Sequence, residues 1–132
     1  MTQKDKELLL KDICARLPYG VKGIIEGGDV ITTPLKWYAE QSLELSINYM
    51  VVKNGWRPYL LPLSSMTEEQ KKEYNNWKHE VFVCHYEYGD VVEEVELFDS
   101  PESFEYLIAN HFDYRGLIEK GLAIDATGLN IY

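Results

Sequence analysis

Cysteine is almost missing from this chain of 132 residues: only Cys14 and Cys84 are present. Two thiols outside any C-x-x-C pair build neither a disulfide framework nor a ribbon-type zinc site, so both read as small buried hydrophobes. Long apolar runs are missing too. Nothing approaches the roughly 20 residues that cross a bilayer, and the start Thr2-Gln3-Lys4-Asp5-Lys6-Glu7 is not a secretory leader. The expectation is a cytoplasmic protein with no membrane partner. Basic residues are scarce, 13 against 22 acidic, for a net charge of −9. Such a surface repels phosphate backbones, which disfavours direct nucleic-acid binding. It would attract a basic protein, although solubility alone accounts for it.

The sequence signatures of catalysis are absent as well. Gly20, Gly23, Gly27 and Gly28 fit neither a phosphate loop nor a dinucleotide fingerprint. No G-x-S-x-G elbow occurs, and Ser64 and Ser65 read as helix caps. No cofactor is expected.

What is present is a normal globular stock of apolar residues, 45% of the chain, with ten tyrosines and three tryptophans to fill a core. The length fits one domain. Residues 3–16 read as a helix with Leu9, Leu10, Ile13, Cys14 and Leu17 on its apolar face and Lys4, Asp5, Lys11, Asp12 and Arg16 on the other. Pro18, Tyr19 and Gly20 stop it. Val21–Glu26, a Gly27-Gly28-Asp29 turn and Val30–Tyr38 read as a hairpin, with Pro34 interrupting the second strand. Leu43–Val51 alternates apolar and polar residues, Asn54-Gly55 turns the chain, and Trp56–Leu63 forms a last extended piece between Pro58 and Pro62. This small antiparallel meander is compatible with an SH3-like barrel.

A capping box, Ser65 with Glu68 or Thr67 with Gln70, starts a surface helix that runs to about His79. Its apolar stripe is only Tyr74 and Trp77. Val81–Tyr88, a Gly89-Asp90 turn and Val91–Phe98 form a β-hairpin, the β-branched content favouring strand over helix. Ser100-Pro101-Glu102 opens another helix with Phe104, Leu107, Ile108, His111 and Phe112 on one face. Asp113 caps a shorter one, Tyr114–Lys120, ended by Gly121. The fold class is therefore α+β: N-terminal helix, meander, surface helix, hairpin and C-terminal helix pair.

Three constellations carry chemical potential. His79, Cys84, His85 and His111 are metal-type residues, but Cys84 and His85 alternate across a strand and cannot share one ion. Glu87, Asp90, Glu93, Glu94, Glu96 and Asp99 are dense enough for acid–base work with His85 or His111. Their alternation with Val91, Val95 and Leu97 is equally that of a strand with one wet side. Aromatic residues form the third set: Trp37, Tyr38, Trp56 and Tyr59 in the meander, and Tyr106, Phe112 and Tyr114 near the end. They either fill the core or mark an interface.

Three blocks, Arg16–Lys22, Arg57–Glu69 and His111–Ala123, resemble a family of uncharacterised proteins from gut bacteria and their phages or mobile elements. The resemblance implies a cytoplasmic accessory protein and no particular activity. It directs attention to Asp113, Tyr114 and Arg115, either as a partner-binding corner or as capping and packing residues. The leading expectation is thus a non-catalytic interaction module that binds a protein partner or itself, with Asp113, Tyr114, Arg115, Trp37 and Trp56 as candidate contacts. A small hydrolase using the 87–99 carboxylates and an acidic nucleic-acid mimic are the alternatives.

Overall fold

The structure, a computed structural model, describes residues 2–32, 50–51 and 55–132. Among them the chain is α+β, with three helices and seven strands. It divides into two compact units, Met1–Ser65 with Ile108–Tyr132, and Met66–Leu107.

In the first unit, α1 (Gln3–Arg16) begins at a capping box in which the Thr2 hydroxyl accepts from the Asp5 amide and the Asp5 carboxylate accepts from the Thr2 amide. A 3₁₀ turn over Leu17–Tyr19 ends it at Gly20, whose φ of +69° suits a residue without Cβ. Leu9 and Ile13 are buried with Val21, Met50, Val51, Trp56, Leu60, Leu117, Leu122 and Ala123. Each large side chain of this cluster contributes about 1.5–3 kcal/mol by leaving water.

The sheet is made of very short strands: β1 (Gly23–Ile24), β2 (Ile31–Thr32), β3 (Arg57–Pro62), β6 (Phe112–Asp113) and β7 (Ile124–Asp125). Its path is β2-β1-β3-β6, with β7 also on β3. β1 is antiparallel to β2 and β3; β6 and β7 run parallel to β3. The piece between the two prolines is therefore the hub. Pro58 and Pro62 are tolerated there because each neighbouring strand covers only two of its residues. Gly23 allows the closest approach in the unit, since a Cβ there would lie 2.2 Å from the Trp56 ring.

Several expectations are corrected. No closed barrel forms among the described residues, because the path of strands is open. Asp12 and Arg16, read as surface charges, are fully buried; polarity does not reveal burial when the charges pair with each other. The second C-terminal helix is a series of turns over 117–121, held by Asp113. Met50 and Val51 are helical and both buried, unlike an alternating strand. The remainder of the 43–51 stretch, residues 33–38 of the returning strand, and Asn54 lie outside the described residues.

The second unit holds α2 (Glu68–Asn76), β4 (His79–Glu87), β5 (Asp90–Phe98) and most of α3 (Pro101–Ala109). Thr67 and Gln70 make the capping box of α2, which buries no residue. The helix ends at Asn76 rather than near His79, which instead opens β4. Tyr74 and Tyr106 stack with ring centres 6.3 Å apart, and Lys78 lies over the Tyr74 ring. The Tyr74 hydroxyl donates to the Asp99 carboxylate, and that of Tyr106 to Glu73 at 2.9 Å. Burial and the Asp99 charge raise the Tyr74 pKa, so the phenol stays a donor. These bonds tie α2 and α3 to the base of the hairpin.

Candidate interaction surface

The corner at Asp113 is built from the end of α3 onward. His111 follows the helix at φ +63°, a left-handed position that histidine tolerates better than most residues. Its ring stacks on Tyr132 with centres 3.6 Å apart and planes 8° from parallel. Burial, then the charges of Arg16 and Lys22, push its pKa down to about 4. His111 is therefore neutral at pH 7 and serves as a packed ring.

Asp113 accepts from the amides of Leu117 at 3.0 Å and Ile118 at 2.9 Å. Both its oxygens are thereby committed to the turn. Arg115 lies over the Tyr114 ring and donates from Nε to Asp12 Oδ1 at 3.2 Å. Asp12 Oδ2 accepts from Arg16 Nε at 2.8 Å, and Arg16 Nη2 donates to the Phe112 carbonyl at 2.6 Å. One buried carboxylate thus faces two guanidinium groups, which fastens the corner to α1. A shallow depression of about 350 Å³ beside it is lined by Pro62, Leu63, Asp113, Tyr114, Ile118 and Glu119. Its buried carboxylate is Asp113, already held by backbone amides. The three motif residues come together, and every contact described here is internal to the fold.

Trp56 has no exposed surface and donates from Nε1 to Thr32 Oγ1 at 3.3 Å. A ring so enclosed offers a partner nothing, so its place among the contact residues is corrected to the core. Tyr59 and Phe112 are buried likewise. Trp37 and Tyr38 lie outside the described residues.

The hairpin is different. Tyr88 and Gly89 form its two-residue turn, with φ of +52° and +88°, the positive pair that a type I′ turn requires. The turn thus sits one residue earlier than the Gly89-Asp90 expected. Partners run from Glu87 with Asp90 to His79 with Phe98, without a bulge. Residues opposite one another share a face. One face carries Glu80, Phe82, Cys84 and Tyr86 against Leu97, Val95, Glu93 and Val91; the other carries His79, Val81, Val83, His85 and Glu87 against Phe98, Glu96, Glu94, Val92 and Asp90. Phe82 is 74% exposed, Tyr86 81%, Val91 60% and Val95 52%. The pattern of one wet side is correct in composition, yet the apolar side is wet too.

The chemistry expected of the acids does not assemble here. His85 Nε2 stands 3.9 Å from Glu87 Oε2 on an open surface, and Glu93 points to the opposite face beside Cys84. Among the described residues no group of three His, Cys, Asp or Glu side chains converges. The acids also share their face with Val81, Val83 and Val92, which breaks any ridge of charge. No family model, curated protein or solved structure was found to match this chain. No helix among the described residues is long and apolar enough to cross a membrane.

Sequence reasoning passed over Phe82 and Tyr86. The available signal was the absence of a third strand next to this hairpin in the chain, since strongly polar α2 and short α3 flank it. Two strands have two faces, and two small helices cannot cover both.

Proposed function

We propose that this protein is a non-catalytic interaction module, an accessory protein of the phage or mobile-element type, that binds through the 79–98 hairpin. One observation carries the reading: Phe82, Tyr86, Val91, Val95 and Leu97 form an apolar strip in water on a two-stranded sheet. An isolated hairpin is marginal in water, and exposed apolar patches of several hundred Å² mark contact sites on soluble proteins. A nine-residue strand whose outer edge pairs with no other strand among the described residues is also the usual template for strand addition.

The test is the double variant Phe82→Lys/Tyr86→Lys, read by urea unfolding and by binding of an apolar dye. A strip kept free for a partner predicts dye binding lost and stability changed by less than about 0.5 kcal/mol. A loss of about 2–5 kcal/mol would mean the two rings are packed in the fold, and the proposal would fall.

A further inference from the structure

We infer that the outer edge of β4 in this hairpin takes a second copy of the chain, joined by antiparallel pairing of β4 with β4 across a two-fold axis centred on Val83. This rests on the hairpin being the binding element and names its partner.

The two-residue turn decides which backbone groups are available. It makes Glu87 and Asp90 a hydrogen-bonded pair, and bonded pairs recur at every second residue. The odd-numbered residues of β4 therefore point N–H and C=O toward β5, and Glu80, Phe82, Cys84 and Tyr86 point theirs outward. Among the described residues nothing pairs with that outer edge. Two such edges can bond only where even-numbered residues meet even-numbered ones. That leaves registers in which apolar face continues apolar face across the axis.

Charge and length choose among them. Centred on Val83, all nine residues of β4 overlap. His79 then meets Glu87, Glu80 meets Tyr86, Val81 meets His85, Phe82 meets Cys84, and Val83 meets itself. No like charges stand opposite, and each end places an imidazole beside a carboxylate. One step toward Phe82 sets His79 against His85 and shortens the overlap; one step toward Cys84 leaves Glu87 facing Val81. The other edge is closed by its own charge. β5 carries Asp90, Glu93, Glu94 and Glu96 with no basic residue, and its full overlap puts Glu94 against Glu94. Like charges directly opposite oppose pairing. The product is a four-stranded antiparallel sheet, β5-β4-β4-β5, above the three or so strands that a sheet needs to be stable in water. Its interface is isologous, as a two-fold dimer requires.

Site-directed crosslinking of the full chain tests the register. Val83 and its symmetry mate would form a non-bonded pair with Cα atoms about 4.5 Å apart, inside the range a disulfide spans. Val81 and its mate would be about 14 Å apart, outside it. In a Cys84→Ser background, which keeps Cys14 as internal control, Val83→Cys is expected to give an oxidised dimer at least about tenfold faster than Val81→Cys. Val83→Lys, which sets two ammonium groups together on the axis, is expected to leave a monomer in sedimentation velocity at concentrations where the unaltered chain is a dimer. Equal crosslinking at 81 and 83, or a monomeric unaltered chain at high concentration, overturns the inference. Read at concentrations low enough to keep the chain monomeric, the Phe82/Tyr86 variant reports on the surface alone, so a wrong occupant is separable from a wrong surface.

Discussion

The two units stabilise β-structure in opposite ways. In the first, four strands of two residues each have hardly any ladder, yet they sit on a core in which Leu9, Ile13, Trp56, Leu60 and Leu117 lose all their surface. In the second, two strands of nine residues make an unbroken ladder, and no residue of either is buried. The hydrophobic term follows buried area and not the number of paired residues. The first unit is thus held by its buried core, while the second presents backbone and side chains that are still available. Local opening should be easiest where ladders lack burial.

The sharpest break in that comparison is a pair of aromatic truncations. Trp56→Ala removes a fully buried ring from its seat on Gly23 and should cost about 3–5 kcal/mol in urea unfolding. Tyr86→Ala removes a ring that is 81% exposed and should stay within about 0.5 kcal/mol. Similar losses at the two positions would show that the hairpin is part of the core and would erase the distinction between the units.

A smaller effect is expected from protons. His111 has a folded-state pKa depressed to about 4, by burial first and then by Arg16 and Lys22, against an ordinary value of 6.5. As pH falls through 6.5 the unfolded chain takes up a proton that the folded chain refuses. Stability contributed by the neutral ring is therefore full above pH 6.5 and is lost progressively down to about pH 4. The loss should be about 1–3 kcal/mol after discounting for solvent screening. His111→Gln should flatten that part of the stability–pH curve. An unchanged slope would place the proton uptake elsewhere.

The elements legible in the sequence are those that local chemistry specifies. Helix α1 matches its expected 3–16 because Thr2 and Asp5 fix one end and Pro18 and Gly20 the other. The Thr67–Gln70 box was one of two capping options, and the hairpin was visible in its β-branched alternation and glycine turn. What was illegible depends on distant partners. Arg57–Pro62 becomes the sheet hub only because Phe112–Asp113 and Ile124–Asp125, more than fifty residues away, lie parallel to it. Asp12 and Arg16 look like surface charges until Arg115 and the Phe112 carbonyl are in place. Residues 114–120 have helical composition, but Asp113 bonds to amides four and five positions on and holds turns instead. The candidate surface was half legible. The sequence shows an apolar stripe, but that nothing covers it is a property of the assembled unit.

The smallest effect separates the units by a motif they share. Thr2 and Thr67 both head capping boxes, and each hydroxyl accepts an amide bond at 3.1 Å. Removing either to alanine should cost about 1 kcal/mol. The cost should appear in different places. Helix α1 is anchored by Leu9 and Ile13, so Thr2→Ala lowers the stability of a cooperative core. Helix α2 buries nothing, so its cap is a larger share of what holds it. Thr67→Ala should speed amide exchange in 68–76 by about fivefold while leaving exchange in α1 unaltered. If 68–76 exchanges at the original rate, then the Tyr74 contacts with Tyr106 and Asp99 hold the helix, and side-chain packing outweighs capping even in the unit where burial is least.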